Sequence, residues 1–389
     1  RGHRVTLAVN EGYREIAQEL GFDFASLVSD KEVNGFLQNP DVWHPVKSAL
    51  LGARWGVSRL AEQYELLRDL SSSDESIIAA SPAIISARLV QEKLKRPLVS
   101  IYHIPWMIIS STAPPAMTSG FTLPAGAPRP VGQLYWWMMD KVASILLGGR
   151  LNGFRRTLQL KPLRRPFQWW ASPDLALGLF PDWYAVPQAD WLPQMKVAGF
   201  PVFDGLAEAQ TDSDVEEFCA SSDPPVAFTF GTGMLHAGQL FQEAVDACVR
   251  MKRPAILLSR DARQIPRNLP PHIRHYSYVP LEQLLSSCAA IVHHGGIGTV
   301  ARSLAAGTPQ LIIPHAWDQL DNAQRVIRLG AGAMLKRRHF TATRLSEQLG
   351  RLLTDDFSVP CREISEKFSD SNNPGLATGW IEEYAAQQT

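Results

Sequence analysis

Residues 291–322 read IVHHGGIGTVARSLAAGTPQLIIPHAWDQLDN, and no other stretch restricts the fold as much. An apolar strand end, Ala289-Ala290-Ile291-Val292, runs into His293 and His294 and a glycine cluster, Gly295, Gly296 and Gly298. Thr299 then opens a helical run over 300–306 that Gly307 stops. A second apolar strand, 310–313, ends in a polar loop, Trp317-Asp318-Gln319. Strand, glycine loop, helix, strand is the repeat of an open parallel sheet. Here both strands carry polar groups at their carboxyl ends, where such sheets bind ligands.

The loop chemistry points to a diphosphate. Glycines let backbone N–H groups approach an anion closely, and a helix starting at Thr299 presents unpaired N–H groups with a partial positive charge. Thr299 can donate its hydroxyl, and His294 can donate a ring N–H or carry charge. No Lys follows the glycines, so this is not a Walker A loop. Gly296-Ile297-Gly298 lacks the third spaced glycine of a dinucleotide fingerprint. The bland alternative is a tight strand-to-helix turn around a buried histidine. The Asp-Gln loop at the next strand end argues for a ligand instead.

A chain of 389 residues suggests two domains, each with ample core. Net charge is zero, which gives no broad nucleic-acid footprint; an anion must be held by local donors. Cys219, Cys248, Cys288 and Cys361 are scattered with no CxxC pair, which fits structural thiols in a reducing, cytoplasmic compartment. No apolar run approaches the ~20 residues of a membrane span.

Strands alternate with helices along the first hundred residues: strand 5–9, helix 11–20, a short strand at 22–24, helical chain over 41–69, strand 76–80, helix 83–94 and strand 97–102. A doubly wound parallel sheet is expected. Arg1-Gly2-His3-Arg4 feeding a strand is how a second βα unit begins, so a further strand and helix are expected upstream of Arg1. Residues 103–130 are rich in Pro, Ser, Thr and Gly, a long loop of the kind that carries function. Two helices are expected next, 132–147 and 151–160. Nine of the eleven tryptophans lie before residue 200. An apolar acceptor cleft partly lined by Trp106, Met107, Phe121, Trp136 and Trp137 is the sharp reading of that bias, and ordinary core the bland one. The basic cluster Arg150, Arg155, Arg156, Lys161, Arg164 and Arg165 reads as a solvated face that could also touch an anionic membrane. After an acidic linker, residues 206–389 repeat the βα pattern as a second domain. Its strands fall at 226–230, 255–259, 275–279 and 333–335, and a last helix at 380–386 could pack back on the first domain, 1–205.

The segments FGTG, YVPLEQLL, HHGGIGT, AAGTPQLIIP and DQLDNA, in that order, resemble the nucleotide-sugar glycosyltransferases of the GT-B fold. Within that family the chain looks like the branch of plant and bacterial natural-product and sterol glycosyltransferases. RGHRV, GFPVFDG, SCA, GGIG and LAAGTPQ are most similar to the rhamnosyltransferase of bacterial rhamnolipid synthesis. The resemblance implies an α/β architecture of two doubly wound Rossmann-like domains facing a cleft. It also implies inverting transfer of a hexose from a UDP- or dTDP-sugar co-substrate to an acceptor hydroxyl, and the aromatic-rich first domain suggests that the acceptor is apolar. No metal and no other cofactor is implied.

By the same resemblance, Tyr278 stacks on the base with Val279 beside it. His294, Gly296, Gly298, Thr299 and Thr232 cradle the diphosphate, and Asp318 and Gln319 bind sugar hydroxyls flanked by Trp317 and Asn322. A bidentate carboxylate and an amide suit vicinal hydroxyls. Many plant members carry a ribose-binding Glu where this chain has Arg302, which leans toward a dTDP-sugar, dTDP-rhamnose among them, although family members lacking that Glu also use UDP-sugars. The family's general base lies in the loop after the first strand, expected upstream of Arg1; neither His44 nor His103 is assigned to it. Two alternatives stay open: a UDP-glucose-dependent sterol or polyketide glucosyltransferase, and a catalytically silent homologue that binds a sugar nucleotide.

Overall fold

The computed structural model describes residues 2–118, 122–124, 126–201, 213–220, 223–231, 233–371 and 374–388. The second half is built on one six-stranded sheet, every pair of it parallel. It begins with α8 (Ser213–Ala220), β7 (Val226–Thr229), α9 (Gly238–Met251), β8 (Ala255–Leu258), β9 (Ile273–Tyr276) and α10 (Leu281–Leu285). There follow β10 (Ala290–His293), α11 (Ile297–Ala305), β11 (Gln310–Ile312), α12 (Gln319–Arg328), β12 (Gly332–Met334), α13 (Ala342–Leu352) and α14 (Asp355–Ser371). The spatial order is β12-β11-β10-β7-β8-β9. Helices cover both faces, so VAFT, AILL and AIVH can be nearly all apolar without alternation. The chain winds one way from β7 to β9 and then the other way from β10 to β12. Its direction therefore reverses between β7 and β10, the place where open α/β sheets leave a crevice at their carboxyl ends.

The first half comprises β1 (Thr6–Asn10), α1 (Arg14–Glu19), β2 (Asp23–Val28), α2 (Asp30–Gln38), α3 (Lys47–Ser58), α4 (Leu60–Leu70), β3 (Ile78–Ala80), α5 (Ile85–Leu94) and β4 (Leu98–Tyr102). It continues through α6 (Arg129–Thr157), α7 (Pro166–Trp169), β5 (Leu175–Gly178) and β6 (Met195–Val197). Its parallel strands form two separate sheets, β1-β2 and β3-β4-β5-β6, rather than the single sheet expected. No residue of β1 is fully buried, whereas all four of β5 are.

Strands β5 and β6 are not legible from period. Each is short and set among Pro and Trp, and β5 is recognisable only once its neighbours bury it. The two helices expected over 132–160 are one. Gly148 and Gly149 disfavour helix by roughly 1 kcal/mol each, but tertiary contacts in the turns that follow override them. Buried Arg155 reaches Glu92, and Asn152 bonds the backbone of Leu163 on both its amide atoms.

The halves share a core. Tyr102, Phe180, Tyr184 and Phe200 of the first pack with Val300, Leu304, Val326 and Phe368 of the second. The last helix, α15 (Pro374–Ala386), sets Trp380, Ile381 and Tyr384 against Val99, Leu175 and Leu177 of the first-half sheet. The expected boundary at 205/206 lies outside the described residues.

Candidate functional site

At the reversal point the loop after β7 meets the loop after β10. Gly231 (φ +90°) and Gly296 clasp the imidazole of His294. A Cβ on Gly231 would stand 2.7 Å from His294 Cε1, and one on Gly296 would stand 2.5 Å from His294 Nε2. Only glycine fits at either place. The ring's Nδ1 is sealed from solvent without a partner, which leaves Nε2, on the Gly296 side, to meet a ligand. Burial holds the ring's pKa down to about 4, so at neutral pH the imidazole is neutral, able to donate one N–H but carrying no charge.

His293, its neighbour, is used up internally. Its Nδ1 accepts from Gly295 N at 3.1 Å, so Nε2 carries the proton and donates to Gln310 Oε1 at 3.1 Å. This fixes the entry of the glycine loop. Gly295 then turns at φ +94°, where a Cβ would stand 2.8 Å from Ile312 Cγ2. Gly296 is the N-cap of α11 and brings no capping side chain. The N–H groups of Ile297 and Gly298 therefore lack intrahelical acceptors, whereas that of Thr299, the third residue, already donates to Gly296 O at 3.1 Å.

The second strand-end loop is anchored to the first. Trp317 takes a left-handed conformation (φ +58°), uncommon for a large side chain, and its ring lies on Gly52 of α3, where a Cβ would stand 2.4 Å from Trp317 Cη2. Asp318 is the N-cap of α12. Burial raises its carboxyl to about 6, against opposing hydrogen bonds from its own backbone and Asn322. Asn322 is fully buried. Its Nδ2 donates to Gly295 O at 2.9 Å and to Asp318 Oδ2 at 2.6 Å, and its Oδ1 accepts from Tyr184 Oη at 3.0 Å.

Several expected site residues do other work. Asn322 has every polar group committed and no exposed surface, so it cannot contact a sugar; it spans the two loops. Gln319 gives its carbonyl oxygen to His315 N (2.7 Å) and Ala316 N (3.1 Å), which leaves only its NH2 for a ligand. Val279 is core, packed with Leu284, Leu285 and Ile256. Tyr278 is exposed at the carboxyl end of β9, with the Arg260 guanidinium 5.7 Å from its ring. From β10 to β9 is three inter-strand spacings, about 14 Å. Thr232 lies outside the described residues, and Gly298 is exposed at the helix start.

Of the five aromatic and methionine residues read as an acceptor cleft, the four that are described do not face one space. Met107 is buried in the shared core, with Trp106 packed against it. Trp136 turns inward to donate from Nε1 to Ser110 O at 2.8 Å, while Trp137, about 100° further round α6, faces solvent. Phe121 lies outside the described residues. His44 accepts from Val46 N and Lys47 N through Nδ1 and serves its own turn.

Sequence reading missed the first-half groups that meet the site. Trp43 lies 3.3 Å from where a Cβ of Gly233 would stand, Gly52 admits Trp317, and Tyr184 holds Asn322. Asp321 Oδ1 accepts from Ala116 N at 3.0 Å, tying α12 to the long loop. Gly52 and Gly56 both interrupt a helical run, which marks neither of them as the one that meets Trp317.

Residues 242–374 match the family of erythromycin biosynthesis protein CIII-like C-terminal domains. The O-mycaminosyltylonolide 6-deoxyallosyltransferase of Streptomyces fradiae is 25% identical over 100% of this chain and 92% of its own length. A sterol 3-beta-glucosyltransferase of Arabidopsis thaliana is 24% identical over 95% of this chain and 59% of its own. The spinosyn rhamnosyltransferase complexed with thymidine diphosphate superposes with a TM-score of 0.69 at 19% identity, covering 98% of this chain and 92% of the other. The chain is a glycosyltransferase of the GT-B fold. The matched family segment of this glycosyltransferase contains α11, α12 and both strand-end loops after β10 and β11.

Proposed function

We propose that the glycosyltransferase moves a hexose, with inversion, from a nucleoside-diphosphate sugar to a hydroxyl of an apolar acceptor. We assign the donor as dTDP-rhamnose. The observation that carries the reading is the Asn322 amide bridging Gly295 O and Asp318 Oδ2. One side chain sets the diphosphate loop and the sugar carboxylate a hydrogen bond apart on either side. The diphosphate meets the uncapped start of α11, Thr299 and the neutral Nε2–H of His294. These donors strengthen as charge builds on the leaving group. The carboxylate of Asp318 and the NH2 of Gln319 take sugar hydroxyls, Trp317 closes that side, and Tyr278 carries the base. The acceptor hydroxyl loses its proton to a general base; none of the described residues is assigned to it. On this reading helix N–H groups and His294 offset the leaving charge, so chelation with EDTA leaves the rate unchanged.

The thymidine diphosphate held by the spinosyn relative and the absence of a carboxylate at Arg302 support the dTDP donor. The sterol glucosyltransferase relative supports a second reading, UDP-glucose and a sterol-like acceptor. Product analysis with dTDP-rhamnose and UDP-glucose separates them. His294→Ala is expected to lower kcat/KM by ~10²-fold or more, the size of a lost charge-stabilising donor. A rate like that of the unmodified enzyme would end the assignment.

A further inference from the structure

Helix α6 is 29 residues long and buries only one side. Val131, Leu134, Met138, Val142 and Ile145 point outward, with Trp137 and Leu146 at the edges. Ile145 is 81% exposed and the others between 43% and 56%. At 100° per residue the five central side chains fall within about 80° of arc, and they run some 20 Å along the axis. Monomeric soluble surfaces rarely leave such a stripe open without a partner.

The charge around the stripe says what the partner is. Residues 129–165 hold eight Lys and Arg against one acidic residue, Asp140, in a chain whose net charge is zero. Asp140 is buried, accepting from Phe167 N and facing Arg165. Arg129, Lys141, Arg150, Arg156, Lys161 and Arg164 are exposed, and no acidic side chain is paired with any of them among the described residues. Lys141 lies within the stripe, 5.4 Å from the Trp137 ring, and Arg156 continues its line. Residues 161–165 are held beside α6, with Ser144 Oγ donating to Arg164 O and Asn152 bonded to Leu163. No helix of the described residues is long and apolar enough to cross a membrane. An apolar face ringed by unpaired cations, with an interfacial Trp, is the pattern of a helix lying in the plane of an anionic lipid surface.

We propose that α6 docks this enzyme on an anionic bilayer, its outer face immersed among the acyl chains and its cations among the headgroups. Docking there also has a consequence for the site. The start of α6 is bolted to the long loop through Trp136 Nε1 and Ser110 O, and through Gly132, which has no room for a Cβ against Ser111 O. The same loop reaches α12 at Asp321. An apolar acceptor would thus enter from the lipid; that last step rests on the function proposed above, whereas docking itself does not.

The test is co-sedimentation with vesicles of phosphatidylcholine alone and of phosphatidylcholine with phosphatidylglycerol. Binding is expected only with the anionic lipid, and to weaken as salt is raised from about 0.1 M. Leu134→Glu with Ile145→Glu, both exposed, is expected to reduce the bound fraction at least tenfold. The reversal Lys141→Glu with Arg156→Glu should do likewise, and thermal melts of both variants should match the unmodified protein. Equal sedimentation with both vesicles, or binding that neither variant changes, would overturn the proposal. So would a dimer in sedimentation equilibrium that Leu134→Glu with Ile145→Glu dissolves, which would give the face to a second copy of the chain.

Discussion

The crevice between α11 and α12 and the outer face of α6 differ in what they leave unsatisfied. In the crevice many polar atoms already have a partner inside the protein: His293 with Gly295 and Gln310, Gln319 with the His315 and Ala316 backbone, Asn322 with three groups at once, while His294 Nδ1 and Gln310 Nε2 are sealed in without one. What remains open is small and directional, chiefly one imidazole nitrogen, one carboxylate and the start of one helix. On α6 the polar requirement is trivial and the apolar surface is what lacks a partner. A small polar ligand is therefore specified by the leftovers of a dense hydrogen-bond network. An extended apolar partner is specified by a stripe and its charge.

Arg155 and Arg156 bring that contrast down to adjacent residues. Arg155 is 1% exposed, with Nη1 and Nη2 at 2.7 and 2.8 Å from the two oxygens of Glu92 and Nε donating to Lys161 O. Arg156 points to solvent. Arg155→Ala strands the Glu92 carboxylate beside Trp169 and is expected to cost about 3–5 kcal/mol, seen as a large drop in the urea midpoint. Arg156→Ala should stay within about 0.5 kcal/mol. Similar losses in both would mean that α6 has no distinct inner and outer faces.

The Asn322 bridge carries the next largest expectation. Asn322→Ala leaves Tyr184 Oη and Gly295 O without their partner in a buried setting, at about 1–3 kcal/mol for each group so stranded. Because the side chain spans both loops, the variant should also raise KM for the donor. Tyr184→Phe removes one bond of the three and should lose about 1–2 kcal/mol, with a smaller KM effect. A stability loss in Asn322→Ala with donor KM unchanged would make the bridge structural only.

How much of this the sequence disclosed follows from the same physics. Residues 291–322 were legible because local rules govern them: apolar strand, glycines where φ is positive, a helix start, a polar strand end. The parallel class followed from alternation. Tyr184, Trp43 and Gly52 were not legible, because each matters through a contact with residues more than a hundred positions away. The split of the first-half sheet was equally hidden, since strand pairing is not written in any one strand. Trp136 and Trp137 part for a plainer reason. They are consecutive on α6, so their side chains leave the helix about 100° apart.

The smallest expected effect separates the site's carboxylate from its histidines. Burial holds His293, His294 and His315 down to between about 3 and about 4, so none of them changes charge near neutrality. Asp318 goes the other way, up to about 6. Its folded pKa lies above the ordinary carboxyl value of 3.8, so folding takes up a proton in between. The ionised carboxylate then costs stability above about pH 6, and that cost is gone below about pH 4. Asp318→Asn should therefore stabilise the protein slightly at pH 7 and not at pH 4. For the donor the sign is opposite: sugar hydroxyls want the carboxylate, so kcat/KM should rise through about pH 6 and this limb should vanish in Asp318→Asn. A limb that persists in the variant would assign it to the acceptor-side base, and the sugar would have to be held by the Gln319 NH2 and Trp317 without Asp318.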